Sequence, residues 1–184
     1  MADSEIVCDD IVVYRYGLEL IKKKVCHTAA ILMLALVCGE FWGMLVFLVA
    51  YASIREYSGG YHAHSAARCF ICTILVTATA IYLMKVPFRY MELPWIWGVM
   101  LACGAGIWLL SPQEAENKPL GDMEKNVYRK MVHKYLIVDS IIALLGLWQP
   151  LVARGIAVAW IIQIIMLLGG LLRRRLAVAG EKRI

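Results

Sequence analysis

Apolar residues occupy most of the chain in long runs, and the polar residues between them fall into short clusters. Ahead of the first run, Val7, Ile11, Tyr14, Leu18, Ile21 and Val25 recur three to four apart, with Glu5, Asp9, Arg15, Glu19 and Lys22 elsewhere on the helical wheel. This spacing predicts an amphipathic helix over residues 1–27. Lys22-Lys23-Lys24 suits anionic headgroups, so the helix is expected to lie at the inner membrane surface; packing on the protein's own bundle is the alternative. Asp3, Glu5, Asp9 and Asp10, with no long apolar core directly behind them, argue against a signal peptide.

Residues 28–54 are apolar but interrupted at Gly39-Glu40. Lys22 to Lys24 before the segment and Arg55 after it both favour the cytoplasm, so a helical hairpin turning near Cys38-Gly39-Glu40 is expected. Two full spans need roughly 40 residues, so the arms must be short or tilted. A single span with Glu40 facing the bundle interior competes with this reading and would put residue 62 outside the cell. Residues 70–111 hold two further apolar segments, 69–84 (opening at the edge of the polar stretch before it) and 94–110, the latter with Trp95 and Trp97 as interfacial anchors. Residues 112–134 form a basic loop, expected in the cytoplasm, in which Leu120, Met123, Val127 and Met131 predict a second surface helix. Residues 135–172 contain the last two segments, and Arg173-Arg174-Arg175 holds the 173–184 tail inside. The expected fold is all-α: a polytopic membrane bundle of about six hydrophobic segments, an interfacial N-terminal helix, one domain, and both termini cytoplasmic.

Composition supports this class. The chain has 184 residues, 61% hydrophobic and only 18% charged, too apolar for a soluble domain of this size. The net charge of +5 sits mostly in clusters between apolar runs, where it reads as topology and contact with anionic lipid rather than nucleic-acid binding. The six cysteines, at 8, 26, 38, 69, 72 and 103, are expected to be reduced, because several stand alone in apolar runs.

The one dense group of reactive and conformationally free residues is 55–69. His62 and Cys69 are the parts of a thiol nucleophile and its base, and Arg55, His64 and Arg68 add charge that favours a thiolate. On an unbroken helix two residues seven apart are about 10.5 Å apart along the axis, too far for a hydrogen-bonded pair. A working dyad therefore requires the chain to bend at Gly59-Gly60, with Cys69 near the start of the next helix, where the helix dipole adds to its acidity. An inert, buried cysteine is the plainer reading of the residue types alone.

Arg55, Gly59-Gly60-Tyr61-His62-Ala63 and Cys69, with Ser111-Pro112 and Asn117-Lys118-Pro119-Leu120 on the basic loop, resemble the accessory gene regulator protein B family along nearly the whole chain. These are membrane cysteine endopeptidases of Gram-positive quorum sensing. The resemblance implies Cys69 as nucleophile, His62 as general base, positioning roles for Arg55, Gly59 and Gly60, and no cofactor or metal. It also implies a homodimer and a cognate precursor peptide, of the accessory gene regulator D type, cut near its C-terminal region through a thioester and closed to a thiolactone or lactone ring. Lys125, Arg129 and Lys130 would attract an acidic tail on that peptide. Two other classes stand beside this one: a membrane peptide transporter or chaperone using Glu40 and Gln163, and a zinc protein using His62, His64, Cys69 and Cys72.

Overall fold

The computed structural model describes residues 2–60, 66–85, 92–114, 121–146 and 149–181. Its described residues form six α-helices and no strand, and the chain divides into two units, Met1–Gly39 and Glu40–Ile184.

The first unit is one helix, α1 (Ala2–Val37). At about 1.5 Å per residue its 36 residues run about 54 Å, well beyond the ~30 Å hydrocarbon thickness of a bilayer. The amphipathic stretch expected over 1–27 and the first arm of the 28–54 segment are therefore continuous rather than separate elements. Gly17 is the only glycine between Ala2 and Val37, proline is absent from that span, and the alanine and leucine run after Thr28 favours helix. The helix stops at Gly39, which has φ 75° and whose N–H donates to the Leu36 carbonyl at 3.0 Å. A left-handed residue at this point ends a helix most cheaply when it is glycine.

The second unit contains α2 (Phe41–Ser58), α3 (Ala66–Lys85), α4 (Leu93–Leu110), α5 (Asp122–Leu145) and α6 (Pro150–Glu181). At its centre is α6, which packs against each of the other four. The reason lies in its sequence: Ile156, Ala157, Val158, Ala159 and Trp160 are consecutive and all buried, so the helix is apolar all round and needs neighbours on every side. Its approach to α2 is close enough that a Cβ on Gly155 would lie 2.8 Å from Val46 Cγ1.

The segments 93–110 and 150–176 are long and apolar enough to cross a membrane, and Phe70–Lys85 is a shorter apolar helix. With the chain's composition these make the fold an all-α membrane helical bundle. Two further sequence-based boundaries differ from the structure. The surface helix expected within 112–134 and the segment after it are one rod, because Val132, Leu136, Asp139 and Ala143 of α5 share one buried face at an unbroken spacing of four, three and four. Likewise α6 continues through Arg173-Arg174-Arg175 to Glu181.

The contact at Gly155 gives the first prediction. Gly155→Ala should destabilise the protein by about 1 to 3 kcal/mol through overpacking, lowering Tm in detergent by roughly 3 to 10 °C. Gly169→Ala, whose added methyl meets nothing within 4 Å, should leave Tm unchanged or slightly raised.

Candidate functional site

The last turn of α2 ends inside the bundle, with Ser58 fully buried. A helix C-terminus leaves its final carbonyls without intrahelical partners, and in an apolar interior these must be bonded by other groups. Three elements do this. The Gln113 backbone N–H, in the segment that follows α4, donates to the Ser58 carbonyl at 2.9 Å. The Gln163 amide of α6 donates to the Gly59 carbonyl at 3.3 Å and to the Ser58 hydroxyl. Arg55, one turn earlier on α2, donates through Nη1 to the same Gly59 carbonyl.

The chain then breaks from helix geometry. Gly59 has φ 70° and Gly60 φ 117°, a region that residues with a Cβ rarely occupy. Space makes the same demand: a Cβ on Gly59 would fall 2.2 Å from the Gln113 carbonyl oxygen, and one on Gly60 would fall 2.7 Å from Arg55 Nη1. Arg55, Gly59 and Gly60 are thus brought into a single turn.

His62 lies outside the described residues. The described part of α3 opens at Ala66, which puts the Cys69 backbone in its first turn, while the Cys69 side chain is also outside them. The flanks are placed. A Cβ on Gly60 would lie 3.1 Å from the Met166 carbonyl of α6. Cys72, one turn beyond Cys69, lines a cavity of about 220 Å³ together with Met166 and Ile162. The chain on either side of residues 61–69 therefore approaches the same residue of α6.

Beside the turn, three buried polar atoms have no hydrogen-bond partner: Gln113 Nε2, Ser111 Oγ and Gln163 Oε1. Leaving such groups unbonded in an apolar interior costs about 1 to 3 kcal/mol each. Tyr57 joins the end of α2 to α5 by stacking on Tyr135 at 5.7 Å and meeting Tyr128 edge-on at 5.6 Å.

Charge at this end is partly neutralised. Glu114 accepts from Lys125 of α5 and, at 2.9 Å, from Arg174 Nη2 of α6. The Lys125 bond, then that of Arg174, holds the Glu114 carboxyl below the usual carboxylate range, and Glu114 in turn raises Lys125. A carboxyl depressed on folding stabilises the fold above its ordinary pKa, and that contribution fades as pH falls through the folded value. Both bridges are therefore formed at neutral pH. Arg129 and Lys130, which follow Tyr128 on α5, are exposed.

Gln113, Glu114 and Ser58 were not singled out by sequence reasoning. Polar residues just after an apolar helix read as ordinary loop, and only the neighbouring Ser111-Pro112 marked the segment. Gln163 stood out as a lone amide in an apolar run, but as support for a transport path; the structure commits it to the end of α2. Glu40, the other residue of that reading, lines a separate cavity of about 260 Å³ with Arg154 and Met84. Among the described residues no group of three or more His, Cys, Asp or Glu is placed to hold a metal ion, and the His62, His64 and Cys69 side chains of the zinc reading lie outside them.

The model of the family described as Accessory gene regulator B matches residues 2–167. An AgrB-like protein of Listeria monocytogenes is 29% identical over 140 residues, covering 71% of this chain and 64% of its own length. One from Listeria innocua is 28% identical over 137 residues with the same coverage, and AgrB-like protein 1 of Clostridium perfringens is 31% identical over 55 residues, 30% of this chain and 29% of its own. The chain thus spans less than two thirds of the length of these curated relatives. No solved structure matches.

The buried end of α2 is open to test. Gln163→Leu removes the side-chain donor to Gly59 and Ser58 and should cost about 1 to 3 kcal/mol. Hydrogen exchange in a peptide covering residues 55–60 should rise with it, while exchange in the middle of α4 stays unchanged.

Proposed function

Because the chain belongs to the accessory gene regulator B family, we propose that it is a membrane cysteine endopeptidase that cuts a quorum-sensing precursor peptide and prepares it for cyclisation. Cys69 is the nucleophile and His62 its base. The observation that carries this reading is the break at Gly59-Gly60, which ends the helix of α2 before residue 61 while the chain on both sides of residues 61–69 stays beside Met166. A continuous helix would hold positions 62 and 69 about 10.5 Å apart, and the break removes that obstacle.

The chemistry runs in two steps. The Cys69 thiolate attacks the scissile carbonyl carbon; the C–N bond breaks and His62 delivers its proton to the leaving amine, which departs with the C-terminal fragment. The remaining peptide is held on Cys69 as a thioester. A thiol or hydroxyl within that peptide then attacks the thioester carbon and gives its proton to the now neutral His62, and the Cys69 thiolate leaves as the ring closes. No external energy source is required, since the thioester keeps the acyl group activated. Water is the competing nucleophile, and a site beside the apolar bundle restricts it.

The active site and both termini face the cytoplasm in this proposal, with 28–54 entering and returning, and the working unit is a homodimer. Capture of an acidic tail falls chiefly to Arg129 and Lys130, because Glu114 already occupies Lys125. The transporter or chaperone reading retains Glu40 and its cavity but loses the support of Gln163.

Cys69→Ala and Cys69→Ser should each abolish precursor cleavage in reconstituted vesicles while the peptide still binds. Mass measurement on the wild type should find an adduct on Cys69 equal to the peptide's N-terminal fragment. Cleavage that survives both substitutions would remove the peptidase assignment in favour of transport. The charge arrangement predicts opposite effects at low salt. Arg129→Glu with Lys130→Glu should raise KM for an acidic-tailed precursor about fivefold or more, whereas Glu114→Gln, by releasing Lys125 and Arg174, should lower it.

A further inference from the structure

Between α4, α5 and α6 runs an apolar groove of about 640 Å³, lined by residues that include Trp97, Leu101, Trp108, Ile137, Ile141 and Trp160. From residue 97 to residue 108 it follows α4 for about 16 Å at 1.5 Å per residue. That matches the depth of one leaflet's hydrocarbon, half of ~30 Å. The polar groups of its wall are bonded within the protein: Ser140 donates its hydroxyl to the Leu136 carbonyl at 2.7 Å, and Trp160 donates Nε1–H to Asp139 at 3.3 Å.

One end of the groove is basic. On α5, Lys130, His133, Lys134, Ile137 and Ile141 follow one another at intervals of three, one, three and four, so they form one stripe. Its apolar half is groove wall and its other half carries two ammonium groups and an imidazole. Trp108 joins the halves, since it lines the groove and its ring stacks on His133 with centroids 3.4 Å apart and planes 2° from parallel. His133 Nε2 also lies 3.3 Å from the Trp108 carbonyl oxygen, so the imidazole is held at the rim. Lys130 and Lys134 are exposed there.

We propose that this groove is a binding site for one anionic phospholipid, with an acyl chain against Trp97, Leu101 and Ile141 and the headgroup phosphate beside Lys130, His133 and Lys134. An apolar slot one leaflet deep that ends in clustered positive charge is complementary to that molecule at both ends. A second copy of the chain would fit the slot but gains nothing from the lysines, and a zwitterionic lipid would use them less. The site shares Lys130 with the proposed capture of the precursor's tail, but lipid retention is read without peptide, so the two proposals fail separately.

The test is native mass spectrometry of the full chain, purified in detergent and exposed to equal amounts of phosphatidylglycerol and phosphatidylcholine of the same acyl composition. Wild type should retain one phosphatidylglycerol in preference to phosphatidylcholine. Replacing both Lys130 and Lys134 by Gln should reduce that preference roughly thirtyfold, at about 1 kcal/mol per basic residue near the headgroup. Ala105→Phe, which fills the groove without touching the rim, should expel the bound lipid of either class; Leu101→Trp does the same if the first variant folds poorly. Equal retention of the two lipids would overturn the proposal, as would indifference to the lysine change or to groove filling. Disulfide trapping between copies through Cys introduced at Leu101, at yields unaffected by phosphatidylglycerol, would assign the groove to a second copy and overturn it too.

Discussion

The carbonyl groups at the end of α2 must be hydrogen-bonded within an apolar bundle, and the site's geometry depends on how that requirement is met. In water the last turn of a helix is bonded by solvent, but among membrane helices each unbonded carbonyl costs several kcal/mol. Here Ser58 and Gly59 are bonded by the Gln113 backbone, the Gln163 amide and the Arg55 guanidinium. The segment that follows α4 and the helix α6 are thereby fixed to the last turn of α2. Fixing the turn also fixes where the chain leaves it, two residues before His62.

The central position of α6 follows from the same economy of polar groups. Its buried run offers its neighbours hydrocarbon, the Trp160 N–H that Asp139 accepts and the amide of Gln163, and the register of α2 against α6 is set by where that amide meets Ser58 and Gly59. The close approach at Gly155 and Val46 lies eight residues before Gln163, about 12 Å away along the helix. A steric contact and a polar contact at that separation prevent the two helices from sliding past one another. Such pinning is worth more here than in water, because lipid tails are as apolar as the side chains and association draws little from burial.

Much of this architecture was legible in the sequence. The apolar runs located the helices, and Gly39 and Gly59-Gly60 located breaks, because glycine in a long apolar pattern is a costly choice unless the backbone needs it. Helix boundaries were less legible where a helix changes environment midway. Both α1 and α5 begin polar and end apolar, so periodicity suggested two elements on either side of a charge cluster, whereas the backbone hydrogen bonding is indifferent to which solvent surrounds it. The partners of the turn were least legible. Gln113 acts through its backbone N–H and Glu114 through residues on two other helices, at positions 125 and 174, and no local pattern encodes contacts so distant in sequence.

The basic residues of α5, which composition alone treats as one patch, divide by helical face. Lys125 looks toward Glu114 and Arg174 and is consumed by a structural ion pair. Lys130 and Lys134 lie on the stripe that continues into the groove, with His133 fixed between them by Trp108. Residues five and nine positions on from Lys125 are rotated by about 140° and 180° at 100° per residue, so they face away from Glu114. One helix thus separates a charge that holds the bundle together from charges left to meet a phosphate or a carboxylate. That separation, more than the total of +5, decides what the basic end of the protein can bind.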